Sequence, residues 1–79
     1  MPKIIEGAKA FVLIYFPCDE DQVICEVYAS AEKANAEKRR RNKAYCEPDC
    51  LTSEGDFNYE QYDSSEYSYY DVAEFSLIV

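Results

Sequence analysis

The run Phe11-Val-Leu-Ile-Tyr-Phe16 restricts the fold more than any other feature of this chain. It is β-branched or aromatic almost throughout, carries no polar residue at either parity, and is closed by Pro17. A strand with one solvated face alternates apolar and polar residues, so a run that is apolar at both parities reads as a strand covered on both sides. The sequence therefore predicts a central strand over Ala10–Phe16. Asp19-Glu-Asp-Gln22 follows as a polar turn, and Val23-Ile-Cys-Glu-Val-Tyr28 returns as a second strand, which makes a hairpin. Cys25 shares its parity with Val23 and Val27 and is expected to be a small core residue.

Ser30 is a good N-cap, and Ala31–Tyr45 is rich in helix formers, with Glu32 in the first turn and cations toward the end to complement the helix dipole. Its expected buried stripe is narrow: Ala31, Ala34 and Tyr45 with the aliphatic stems of Lys38 and Arg41. That stripe leaves a broad basic face to solvent. From Cys46 to Ser65 the composition turns to Pro, Asp, Glu, Ser, Gly and Asn, which predicts a long loop holding at most a short strand, with Phe57, Tyr59 and Tyr62 as aromatic anchors. Tyr67 to Val79 alternates again and predicts a final strand whose apolar end docks the C-terminus into the sheet.

With 79 residues the chain has room for one domain over its whole length, and a domain of this size buries only about 60% of its unfolded surface. Aliphatic and aromatic residues collect at Ile4–Ile5, at Phe11–Phe16 with Val23–Tyr28, and at Val72–Val79. The expected fold class is α+β: a small antiparallel sheet of three to four strands with one covering helix, in the order β-β-α-loop-β. The longest apolar run is far short of the roughly 18 residues of a membrane span and lacks the flanks of a secretory signal, so the expectation is a protein of the cytoplasm without membrane contact.

Catalytic chemistry lacks its parts. There is no histidine to act as a base near neutral pH, and hence no Ser-His or Cys-His pair. Gly7 and Gly55 are the only glycines, too few for a phosphate-binding loop. No cofactor and no enzymatic activity are expected. Four cysteines invite a zinc reading, but Cys18 and Cys25 are too far apart for a zinc knuckle, and their default state in a reducing compartment is the free thiol. The spacing of Cys46 and Cys50 fits a disulfide across one helical turn or a thiol redox pair, although Glu47 and Asp49 between them would raise rather than lower thiol pKa.

Charge is distributed unevenly. Residues 1–46 hold eight basic and seven acidic residues, whereas residues 47–79 hold nine acidic and none basic. The basic run Lys38-Arg-Arg-Arg41, with Lys43, is a pattern that binds nucleic acid in other settings, or an acidic partner. It also fits a solvated helix face paired with Glu32, Glu37 and the acidic loop. A net charge of −8 repels a phosphate backbone at long range, which argues against direct nucleic-acid binding.

The acidic half suggests the opposite arrangement. Glu54, Asp56, Glu60, Asp63, Glu66 and Asp71 are interleaved with Tyr59, Tyr62 and Tyr70, and tyrosine is enriched at interface centres. These nine residues are the expected partner-binding surface, with Lys38, Arg39, Arg40, Arg41 and Lys43 as the secondary candidate. Carboxylates on one face of a strand recur only every ~6.8 Å, whereas a DNA strand carries a phosphate about every 3.4 Å. Acids from a turn, such as Asp19, Glu20 and Asp21, must therefore join to imitate that spacing.

The pattern Phe11-Val-Leu-Ile-Tyr15, Val23–Tyr28 and Ser30–Ala34 resembles that of many short bacterial and phage proteins. In size, acidity and absence of catalytic parts the chain also resembles small phage-encoded inhibitors of host defence, the anti-CRISPR and anti-restriction proteins, several of which mimic DNA. That likeness implies a host-cytoplasmic inhibitor whose partner has a basic nucleic-acid-binding groove. It is one of type and transfers no functional residue.

Overall fold

The computed structural model describes residues 8–77, and for Ala8 and Leu77 the backbone alone. The expectations for Ile4–Ile5 and for a docked Ile78–Val79 end fall outside it. Strand β1 spans Ala8–Phe16, β2 Val23–Tyr28, helix α1 Ala31–Tyr45 and β3 Tyr69–Leu77, with single 3-10 turns at Pro48–Cys50 and Ser64–Glu66. The three strands form one antiparallel sheet in the order β2-β1-β3, so the apolar run is indeed the central strand. The fold is α+β, in the order read from the sequence.

Register fixes which side chains share a face, because antiparallel partners point the same way. Phe11, Leu13 and Tyr15 pair with Tyr28, Glu26 and Val23 on one side and with Glu74, Val72 and Tyr70 on the other. This is the helix face: Leu13 is fully buried, Arg41 bonds Glu26, and its guanidinium lies 5.6 Å over the Tyr70 ring. The opposite face carries Val12, Ile14 and Phe16, flanked by Val27 and Ile24 and by Ala73, Asp71 and Tyr69.

A bulge corrects the expectation for Cys25. The β1–β2 register shifts between Leu13 and Ile14, so Leu13 pairs with Glu26 while Ile14 pairs with Ile24, and Cys25 is the extra residue. Parity therefore breaks in mid-strand. Val23 and Val27 are exposed and Cys25 is only half-buried, so none of the three is core.

The helix begins as expected, with the Ser30 hydroxyl accepting from the Lys33 amide at 3.3 Å. Its buried stripe differs. Ala34, Lys38 and Asn42, at a spacing of four, are the buried positions, while Tyr45 is 72% exposed. The seam is narrow because alanine lets the helix approach closely, and the two polar residues below it are satisfied by groups of the loop and of β3.

That loop, residues 46–68, wraps round the β3 edge. Gly55 packs against Arg39 on the helix side, and Leu51 bridges Phe57 across the turn between them. Phe57 then stacks on Tyr69 at 4.3 Å on the far side of the sheet, where Tyr69 also stacks on Phe16 at 5.2 Å. Cys50, Phe57 and Tyr69 form a buried cluster with Phe16, Cys46, Leu51, Tyr62 and Tyr67 around it. The loop is thus an ordered covering layer over one end of the sheet.

Candidate acidic binding surface

Folding brings the two charged segments of the sequence together. Lys38 is buried, and its ammonium lies 2.8 Å from Asp56 and 3.9 Å from Asp71. The Arg39 guanidinium holds Asp56 through two hydrogen bonds, at 3.1 and 3.2 Å, and reaches Glu54 at 3.1 Å. Arg40 pairs with Glu37 one turn back, and Arg41 with Glu26 and Glu37. The expected broad basic face is therefore largely engaged inside the molecule. Lys33 and Lys43 are exposed and form no ion pair among the described residues.

These pairs set the local proton affinities. Burial pushes the Asp56 carboxyl up, but the hydrogen bonds and charges of Arg39 and Lys38 outweigh it, leaving Asp56 below the usual carboxylate range. Tyr59 is displaced the other way. Burial of its hydroxyl, then the hydrogen bond it donates to Asp71, push the phenol far above its ordinary value, so it stays protonated. Its ring remains half exposed.

Among the expected contact residues, Glu54, Asp56 and Asp71 thus tie the loop to the helix, and Tyr59 is tied to Asp71. Tyr70 was expected to be exposed. Instead it lies between sheet and helix, 4.7 Å from the Tyr15 ring and beneath Arg41, because its parity on β3 is that of the helix face. Tyr62 packs edge-on against Tyr67 at the border of the aromatic cluster. Glu60, Asp63 and Glu66 are exposed and free of ion pairs among the described residues.

The last two of these acids meet the β1–β2 turn. The Cys18 amide donates to the Ser68 hydroxyl at 2.9 Å, and the Cys18 thiol faces the Ser65 carbonyl at 3.6 Å, which fastens Pro17–Gln22 against the Ser64–Glu66 turn. Asp19 adopts a left-handed φ of 63°, a conformation Asp tolerates through local hydrogen bonding. Asp63 caps its turn by accepting from the Ser65 amide and hydroxyl, which lowers its pKa. Desolvation, then Asp19, with Glu66 adding its charge, raises the pKa of the Cys18 thiol. An open cleft lined by Phe16, Pro17, Asp19, Glu20, Asp21 and Tyr69, among others, lies between the two turns. None of the described residues that line it is basic.

Comparison with protein-family models, with curated protein sequences and with solved structures finds no match to this chain. Function must be argued from the surface itself.

The cysteines lie apart from the cleft except for Cys18. Cys50 is buried, its thiol donating to the Glu47 carbonyl at 3.0 Å, and Cys46 is half-buried against Asn42; all four are free thiols. Burial pushes the Cys46 and Cys50 thiols above their ordinary value. Among the described residues no cluster of three or more His, Cys, Asp or Glu is placed to hold a metal, and no helix is long and apolar enough to cross a membrane.

The residue that sequence reasoning missed is Asn42. Fully buried, it donates to the Gly55 and Tyr70 carbonyls at 2.8 and 3.1 Å and accepts from the Tyr70 amide at 2.7 Å, joining helix, loop and strand at one point. Its spacing of four from Lys38 and eight from Ala34 was the available signal.

Proposed function

We propose that this chain is a non-enzymatic binding protein that presents an acidic surface to a basic, nucleic-acid-binding groove of another protein. In that role it acts as an inhibitor of a host nucleic-acid-handling defence complex in the cytoplasm. The carrying observation is the segregation of charge left after folding. Four of the six helix cations, Lys38, Arg39, Arg40 and Arg41, are engaged with Glu26, Glu37, Glu54, Asp56 and Asp71, while Asp19, Glu20, Asp21, Asp63 and Glu66 gather on two adjoining turns with no cation among the described residues that line the cleft between them.

Acids on two elements escape the coarse spacing of a single strand, which is what imitation of a phosphate backbone requires. Phe16 and Pro17, which line the cleft and are only partly buried, supply apolar area beside them, as interface centres commonly do. A low-dielectric groove lined with Lys and Arg would steer such a surface at long range and hold it by charge-assisted hydrogen bonds. Direct nucleic-acid binding through the helix has weaker support, because Lys38, Arg39 and Arg41 already have carboxylate partners.

The test is capture of a partner from the native host cell followed by competition with short duplex DNA. The expected result is release of the captured protein by DNA, and at least tenfold weaker capture by a variant carrying D19N, E20Q, D21N, D63N and E66Q. Neutralising Glu32 and Glu47, which lie elsewhere, is expected to change nothing. Capture that ignores both DNA and the five neutralisations would refute the reading.

A further inference from the structure

The two outer edges of the sheet are treated differently. On β3, the Asn42 side chain covers the Tyr70 amide and carbonyl, Asp71 accepts from the Val72 amide, and the 51–59 loop wraps past the edge. On β2, no backbone group other than those of β1 bonds to the strand among the described residues. Val23–Tyr28 contains neither lysine nor proline, two of the residues that ordinarily blunt an edge; its protective devices are the bulge at Cys25 and the Glu26 charge paired with Arg41.

The face beside this edge is apolar; its central Val12 and Ile14 are buried, but its flanks are exposed. Ile24 and Val27 are each 65% exposed and flank the Val12–Ile14 row of β1, and Phe75, across from Ala10, is 52% exposed on the same face. The loop covers only the Phe16–Tyr69 end. Covering Ile24 and Val27 would remove their exposed apolar surface from water. An open backbone edge and an exposed apolar pair, Ile24 and Val27, therefore meet at one six-residue strand.

Charge selects the occupant. The acidic turn Asp19-Glu20-Asp21 runs directly into β2, Glu26 is still about half exposed beside its Arg41 partner, and the whole chain carries −8. We infer that β2 is a docking edge for an extended, cationic strand of a protein partner, which adds antiparallel to the sheet with apolar residues continuing the Ile24–Val27 row and Lys or Arg on the alternate positions. A second copy fits less well. Centred two-fold pairing of β2 with itself sets the two Glu26 carboxylates beside each other at the axis and doubles an already large negative charge.

This edge is distinct from the acidic cleft, and it is tested with a probe of its own. The probe is a fluorescein-labelled peptide of alternating valine and lysine, titrated into the full chain by anisotropy at low salt. Saturable binding is expected, weakened at least tenfold by Val27→Lys or Ile24→Lys and lost when alternate peptide amides are N-methylated, since methylation removes strand hydrogen bonds and leaves charge intact. Both positions are exposed, so the urea midpoint of each variant is expected to match the parent, and D63N with E66Q is expected to leave peptide binding unchanged. Absence of binding overturns the inference. Binding indifferent to N-methylation and to Val27→Lys is adsorption by charge alone and overturns it as well. Sedimentation that shows a dimer abolished by Val27→Lys would assign the edge to a second copy instead.

Discussion

Asn42→Ala tests whether one buried side chain joins the three parts of this domain. Asn42 makes three hydrogen bonds to backbone, to Gly55 and Tyr70, between 2.7 and 3.1 Å, and it has no exposure to water. Truncation removes those bonds and leaves the Tyr70 amide without its acceptor inside the protein, a loss of about 1–3 kcal/mol for an unsatisfied buried group with about 1 kcal/mol for each further bond. The sum is about 3–5 kcal/mol. A chain of 79 residues has a total stability on the order of 4–12 kcal/mol, so the variant should retain a cooperative transition at a sharply lower urea midpoint or be unfolded in water.

Asn42→Asp separates hydrogen bonding from volume. The carboxylate still accepts from the Tyr70 amide but meets the Gly55 and Tyr70 carbonyls with no donor, and its protonated form regains one. Its folded-state pKa is therefore raised, and the defect should be larger at pH 7 than near pH 4 once the parent's own acid sensitivity is subtracted. Urea unfolding followed by circular dichroism reads both variants. A loss under 1 kcal/mol for Asn42→Ala, or a pH-independent defect for Asn42→Asp, would refute the assignment.

Gly55 has φ 106°, and a Cβ there would stand 3.0 Å from the Lys43 Cε and 3.1 Å from the Arg39 Cβ and carbonyl. Gly55→Ala should cost about 2–3 kcal/mol by urea unfolding from the strained backbone and the displaced helix side chains. Asp56 has a folded pKa below its unfolded value, so its contribution is present above about pH 3.9 and is lost as the pH falls through the folded value. Asp56→Asn should accordingly lower the urea midpoint at pH 7, and the gap to the parent should close on acidification; a gap that widens toward low pH would contradict the ion pairs assigned to Lys38 and Arg39.

The strands and helix were legible in the sequence because each rests on local pattern. An apolar run at both parities had to be central, and Ser30 before an alanine-rich, dipole-matched segment had to open a helix. What failed was parity across β2. A bulge changes the face of every residue beyond it and leaves no mark in Val23–Tyr28, so Cys25 looked like core. The helix stripe was read correctly at Ala34 and Lys38 but missed Asn42 and wrongly included Tyr45, because a hydrophobicity pattern does not show that a polar Asn will be buried once a loop and strand arrive with the Gly55 and Tyr70 backbone to satisfy it. Tyr70 could have been placed from the alternation already read on β3, where it falls with Val72 rather than with Tyr69.

The charge asymmetry of the sequence has a structural use before it has a functional one. An acidic loop of more than twenty residues, with few aliphatic side chains, cannot cover a sheet by apolar burial alone. Here its acids are drawn to the helix by Lys38 and Arg39, which carries the loop round the β3 edge and sets Phe57 on Tyr69. Glu54, Asp56 and Asp71 are consumed in that task, and the edge they pass is closed as a consequence. Carboxylates left without a cation partner include those on the turns at 19–21 and 63–66, and the sheet edge left open by the described residues is β2, beside the first of these turns. Surface charge and open backbone thus meet beside β2, on the edge opposite the loop's ion pairs to Lys38 and Arg39, and the proposed basic partner would find unopposed carboxylates and unpaired strand there.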